Sequence, residues 1–266
     1  MEPYFPDDIY HTPHDMPPHW LDRLFLSSRW GLHLQFVWEI VKARRLVAQN
    51  RYDQTAVAAT SRAIFKMVEG CNGRFHITGL ENIRHLTKPV VFVSNHMSSL
   101  EGNIMGCLLL PHLDFTYVIK ESLTRYPVFG PVIGSRQPIT VGRANPREDL
   151  QKVLQDGVAL LQNGRSILLF PQHTRTPEFI PAEFNSLGVK LASRAGVPVV
   201  PVAVKTDFLV NGRTLRDFGP LDRSKPIHVA FGRPFHITNS KQAHQEIIQF
   251  IECHLEKWQT DASSPT

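Results

Sequence analysis

Residues 89–102 read PVVFVSNHMSSLEG. The apolar, β-branched run PVVFVS has the length and composition of a buried strand. It gives way at Asn95 and His96, at the C-terminal edge of that strand, where open α/β sheets place their ligands. Ser98 can cap the helix that follows, and Glu101, three places on, completes an S-x-x-E capping box. The same spacing brings a carboxylate back towards the His96 imidazole, where it would accept from Nδ1 and leave Nε2 to take a proton from a hydroxyl. The two readings are compatible, because Ser98 could cap while Glu101 turns to His96, and these residues alone leave both open.

Working outward, short apolar runs alternate with amphipathic helices. LEGNIMGCLLL reads as a helix, FTYVIK as a strand, LTRYPVFGPVIG as a short helix or turn broken by Pro and Gly, and PITVG as a strand. REDLQKVLQDGVALLQNG follows as a helix closed by Gly164, then SILLF as a strand, FNSLGVKLASRAG as a helix, VPVVPVAVK and IHVAFG as strands, and a last helix from Asn239 or Ser240 through Trp258. This alternation predicts an α/β fold with a central mixed, largely parallel sheet flanked by helices on both faces. There is no internal repeat and no linker rich enough in Pro, Gly or Ser to separate two domains.

The N-terminal part differs. After a Pro-rich segment over 1–18, residues 19–48 read as one helix with Trp30, Leu34, Val37 and Val41 on a stripe and Leu32, Phe36 and Ile40 beside it. Lys42, Arg44, Arg45 and Arg51 gather at its end. That profile suits an interfacial helix dipping aromatics into a bilayer, and equally an internal helix whose last-turn cations suit its dipole. A second helix over 54–68 ends near Gly70. The expected organisation is a Pro-rich segment (1–18), amphipathic helices forming a membrane-interface element (19–72), the α/β domain (73–259) and a disordered tail, TDASSPT (260–266).

Composition narrows the classes. In a chain of 266 residues, 42% hydrophobic and 20% charged residues describe a folded protein with a sizeable core. A net charge of +5 favours anionic partners, but no basic tract interleaved with aromatics or zinc-finger spacing points to nucleic acid. The 3 cysteines, Cys71, Cys107 and Cys253, form no pair and suit a reducing compartment. The N-terminus is acidic where a signal peptide is basic, and no uncharged apolar run reaches the length of a membrane span.

Four blocks together resemble the glycerolipid acyltransferases of the glycerol-phosphate and lysophosphatidic-acid type. NHMSSLE (95–101) is similar to that family's NHxxxxD block, with Glu101 where Asp is usual, and FPQHTRT (170–176) to its FPEGTRS block. PVFGPVIGSRQPITVGR (127–143) and GVPVVPVAV (196–204) are similar to its second and fourth blocks. The resemblance implies His96 as the general base that deprotonates an acceptor hydroxyl for attack on an acyl thioester, with Glu101 orienting it. It implies Arg143, Gln172, His173, Thr174 and Arg175 at the acceptor's headgroup, the arginines presenting a planar fork to phosphate. Pro198 and Pro201 would shape a strand end beside an acyl tunnel, or mark an edge or bulged strand.

The expected activity is therefore acyl transfer from acyl-CoA or acyl carrier protein to a lysophospholipid such as 1-acyl-sn-glycerol-3-phosphate, without cofactor or metal. It would take place at the cytoplasmic face of a membrane, to which the N-terminal helices bind. The third block departs from the pattern: Gln172 replaces Glu, removing a charge, and His173 replaces Gly, adding bulk in a loop where Gly can take positive φ. These changes raise two alternatives, an acyltransferase for a different lysolipid and a catalytically weak lipid-binding protein of the same fold. A metal-dependent hydrolase using His96, His112 and His173 lacks a recognisable ligand spacing.

Overall fold

The structure, a computed structural model, describes residues 1–213 and 216–263. In chain order its main elements are β1 (Tyr10–His11), α1 (Trp20–Leu24), α2 (Arg29–Ala48), α3 (Gln54–Gly70), β2 (Phe75–Thr78), α4 (Glu81–Arg84), β3 (Val91–Ser94), α5 (Leu100–Leu109), β4 (Phe115–Lys120), α6 (Phe129–Gly134), β5 (Ile139–Val141), α7 (Pro146–Gln162), β6 (Ser166–Leu169), α8 (Leu187–Ala195), β7 (Val199–Lys205), β8 (Ile227–Phe231) and α9 (Ser240–Ser263).

The strands form one sheet in the order β1-β2-β8-β7-β3-β6-β4-β5. The block from β7 through β3, β6 and β4 to β5 is parallel throughout. β8 runs antiparallel to β7, β2 parallel to β8, and β1 antiparallel to β2. The sheet is thus mixed and largely parallel, as the alternation predicted. Every residue of β3, β6 and β7 is buried, which is why these strands read as continuous apolar runs and not as alternating ones.

Consecutive residues of β3 feed opposite faces. Phe92 packs with Phe65, Phe75, Ile104 and Leu108 under α3 and α5. Val91 and Val93 pack with Val189, Leu191, Ile247 and Ile251 under α8 and α9. A Cβ at Gly188 would collide with Val93, so that glycine lets α8 lie directly on the central strand. Pro201 sits inside β7, in register with Val93 of β3. Its missing N–H falls at an interruption of the ladder on the other side: β8 ends at Phe231, the Gly232 N–H donates to the Pro201 carbonyl at 2.8 Å, and pairing resumes between Val199 and Phe235.

The single helix expected over 19–48 is broken. Leu26 and Ser27 take φ of 50° and 56°, and α2 starts afresh at Arg29. The break is held by Arg223, whose guanidinium donates to both Asp22 carboxylate oxygens and to the Ser27 carbonyl. Two strands had no clear signal. β1 lies within the Pro-rich segment, pinned where the Tyr10 and Thr12 hydroxyls donate to Glu69 at 2.6 and 2.7 Å, and β2 is only four residues long. α9 continues to Ser263, past the point where a tail was expected from residue 260; residues 264–266 of that expected tail lie outside the described residues.

Candidate active site

The parallel block brings four chain segments to one edge of the sheet: the turn after β3, the Gly142–Arg143 turn after β5, the loop after β6 and the end of β7. The turn after β3 is tied to β7 by Asn95, whose side chain accepts from the Val204 N–H and donates to its carbonyl, both at 2.8 Å. His96 follows, its ring stacked on Phe170 with centroids 4.3 Å apart.

Glu101 is fully buried and resolves the ambiguity of the first motif by serving both readings. Its Oε1 accepts from His96 Nδ1 at 2.8 Å and from the Met97 and Ser98 N–H groups at 2.7 and 2.9 Å. Its Oε2 accepts from the Thr206 and Ser98 hydroxyls at 2.6 and 3.0 Å. The Ser98 hydroxyl also accepts from the Leu100 N–H at 3.1 Å, so the reciprocal bonds of a capping box are present although the helix begins one residue later. Burial alone would push the Glu101 carboxyl up, but the His96 hydrogen bond and charge, with the Thr206 hydroxyl, hold it below the usual carboxylate range. With Nδ1 committed to a carboxylate, Nε2 is the nitrogen of His96 that can exchange a proton with a substrate.

The loop after β6 is stitched to His96 from the other side. Gln172 is buried; its Oε1 accepts from the His96 N–H at 2.6 Å and its Nε2 donates to the Thr176 hydroxyl at 2.8 Å. The Thr176 N–H donates to the His96 carbonyl at 3.0 Å. The Gln172 amide oxygen is therefore turned to the protein and not to an acceptor hydroxyl. His173 is exposed, and its backbone is not among the residues with positive φ, so a histidine is accommodated there without backbone strain. Its carbonyl accepts from the Arg143 guanidinium. Arg143 itself has a φ of 63°, in a turn whose Gly142 and Arg143 N–H groups donate to Asp149 at 2.9 and 2.7 Å.

Arg175 and Thr174 are engaged by a segment that sequence reasoning missed. Arg175 pairs with Asp217 at 2.5 Å, and Arg216 donates to the Thr174 hydroxyl at 2.8 Å. Thr206 was missed as well, although its place directly after β7, next to β3, marks it as a neighbour of the site. Asp217 and Arg216 come from a long connection without periodicity and left no such signal. His112 is not brought to His96: it lies beyond the far end of α5, a helix of 10 residues and about 15 Å.

A family model described as Acyltransferase matches residues 74–205, which contain His96, Glu101, Arg143 and the whole loop after β6. The chain is 32% identical over 177 residues to a 1-acyl-sn-glycerol-3-phosphate acyltransferase of Pseudomonas aeruginosa, a match covering 65% of this chain and 64% of that one. A protein of the same description from Chlamydomonas reinhardtii is 31% identical over 192 residues, covering 68% and 54%. Residues 74–205 form a domain of the acyltransferase family. The chain's matches span less than two thirds of the length of these two relatives. The fold agrees with the crystal structure of the 1-acyl-sn-glycerophosphate acyltransferase PlsC from Thermotoga maritima, with a TM-score of 0.68 at 17% identity over 86% of this chain and 95% of that one.

Two further features of the structure bear on the site. A cavity of about 120 Å³ opens beside the first turn of α5, where Gly102 follows Glu101; its walls include apolar Ile40, Ile64, Phe129 and Val132 and polar Tyr52, Thr60, Ser61, Asn103, Tyr117 and Arg136. On the outside, Trp20 and Leu24 of α1, Leu26 of the break, and Trp30, Leu34 and Trp38 on one stripe of α2 are exposed, Leu26 by 90%. Lys42, Arg44, Arg45 and Arg51 are exposed at the end of α2. No helix among the described residues is long and apolar enough to cross a membrane.

Proposed function

We propose that this chain transfers a fatty acyl group from acyl-CoA or acyl carrier protein to the free hydroxyl of a lysophospholipid such as 1-acyl-sn-glycerol-3-phosphate, with His96 as general base. The observation that carries this reading is the buried Glu101 carboxylate on His96 Nδ1. The acceptor oxygen attacks the thioester carbonyl carbon while its proton passes to His96 Nε2. As the tetrahedral intermediate collapses, the carbon–sulfur bond breaks and the imidazolium returns the proton to the departing thiolate. Glu101 holds the tautomer and stabilises the transient imidazolium. Since the thioester is already activated, alignment and exclusion of water supply the rest of the acceleration.

In this reading Arg143 and Arg175 take the acceptor's phosphate and Thr174 adds a hydroxyl. Gln172 acts as a positioning residue behind His96, which explains how the family's glutamate can be replaced without loss of the site. The cavity beside Gly102 receives an acyl chain. The exposed aromatic stripe of α1 and α2, closed by a basic cluster, rests on the cytoplasmic face of a membrane, where acceptor and product reside.

The experiment is transfer of label from a long-chain acyl-CoA to a panel of lysolipids that includes 1-acyl-sn-glycerol-3-phosphate, with loaded acyl carrier protein as the second donor. Formation of the diacyl product with either donor supports the reading. Absence of product with every pair removes it.

A further inference from the structure

The connection between β7 and β8 carries a carboxylate into the site. Asp217 pairs with Arg175 at 2.5 Å, and the guanidinium is the more buried partner, with 16% of its side chain exposed against 41% for Asp217. This is not a mobile surface side chain meeting its partner by chance. The Gly219 carbonyl accepts from His33 Nε2 at 2.8 Å, the Phe218 ring packs on His33 with centroids 5.1 Å apart, and His33 is buried in α2. Upstream, the Asn211 amide donates to the Met97 carbonyl at 2.9 Å, next to His96. Beside Asp217, Arg216 holds the Thr174 hydroxyl. Asn211 on one side of Asp217 and Phe218 and Gly219 on the other are therefore tied to the turn after β3 and to α2, and Asp217 delivers an anion to the very guanidinium that the proposed function assigns to the acceptor's phosphate.

We infer that Asp217 sets the affinity for the acceptor headgroup, by occupying Arg175 as an internal anion that an incoming phosphate must displace. This rests on Arg175 being a phosphate-binding group, as proposed above. A carboxylate and a phosphate oxygen make the same charge-assisted bond to a guanidinium and compete for it. The competition makes the free site nearly neutral at Arg175 and weakens binding of small anions. A ligand that also engages Arg143 gains enough to displace the carboxylate.

The test is titration of the full chain with sn-glycerol 3-phosphate, read by heat of binding, for the wild type, Asp217→Asn, Arg175→Gln, the Asp217→Asn/Arg175→Gln pair, and Asp156→Asn. The last removes a charge from an exposed pair with Lys152 on α7 and serves as the control for net charge. The inference predicts a Kd about 3- to 10-fold lower for Asp217→Asn, no change for the control, and no gain from Asp217→Asn when Arg175 is already Gln. An unchanged or higher Kd in Asp217→Asn would overturn it, as would an equal gain in the control or in the Arg175→Gln background, or failure of every variant to bind. The titration needs no turnover, so it stands apart from the acyl-transfer experiment: a chain that transfers acyl groups with Asp217 silent refutes only this inference.

Discussion

The Glu101 carboxylate accepts from His96 Nδ1 at 2.8 Å while also taking the Met97 and Ser98 N–H groups of the turn that leads into its own helix. One side chain thus fixes the imidazole and the turn that carries it, and its substitution should be felt in both rate and stability. Glu101→Gln retains the volume but loses the charge that stabilises an imidazolium, and we expect kcat to fall by about 100-fold with little change in either KM. Loss of strong acceptors for buried N–H groups should lower stability by about 1–3 kcal/mol, measured by urea denaturation. Glu101→Asp, the family's usual residue, should recover activity well above that of Gln.

Stability should fall with acid in two windows. Burial, together with His76 and Lys205, pushes the His228 imidazole down to about 3 from 6.5, so it stays neutral in the fold while the unfolded chain binds a proton below pH 6.5. The unfolded state is then favoured as the pH drops from 6.5 towards 3, by up to about 1.4 kcal/mol per pH unit. Glu101 has its folded pKa below 4.5, so its contribution is complete above that pH and is lost as the pH falls through the lowered value. Denaturation midpoints between pH 7 and 3 should show both, with His228→Gln flattening the upper window and Glu101→Gln the lower.

The cavity beside Gly102 predicts a change in acyl-chain preference. A Cβ at Gly102 meets nothing within 4 Å, so a side chain there grows into open space that the cavity shares. Gly102→Leu should lower kcat/KM for palmitoyl-CoA by more than tenfold relative to octanoyl-CoA. Stability should hold or rise, since leucine is the better helix former by up to about 1 kcal/mol.

The exposed stripe of α2 can be removed with little loss of packing, Trp30 meeting the buried His33 only edge-on at 6.3 Å. In Trp30→Ala/Trp38→Ala, binding to vesicles of phosphatidylcholine with one third phosphatidylglycerol should weaken by about 10- to 100-fold in sedimentation, from the loss of half-exposed rings. The melting temperature should scarcely change. Undiminished vesicle binding would assign the membrane contact elsewhere.

What the sequence revealed follows the physics of each element. β3, β6 and β7 were legible because burial on both faces demands an unbroken apolar run, and FTYVIK is a strand over its full length as read. β1 and β2 were not, since runs of two and four residues, with only the latter alternating in burial, carry too little periodicity to register. The continuous helix read over 19–48 failed because its break is imposed from 200 residues away, by Arg223 bonded to Asp22 and Ser27, and local pattern holds no trace of such a partner. In the site, the spacing of His96 and Glu101 allowed both a capping box and a paired imidazole, and only the structure shows that Glu101 does both. Thr206 and Asp217 reach Glu101 and Arg175 only through the order of strands in the sheet, and no local spacing encodes that.

The central claim is that His96, oriented by Glu101, is the base for acyl transfer. Its most direct measurement is the rate of acyl transfer to 1-acyl-sn-glycerol-3-phosphate for the wild type and His96→Ala, each shown by circular dichroism to be folded. The account predicts turnover in the wild type and a loss of at least about 100-fold in the variant with the fold retained. Turnover by a folded His96→Ala protein at a near wild-type rate would contradict it.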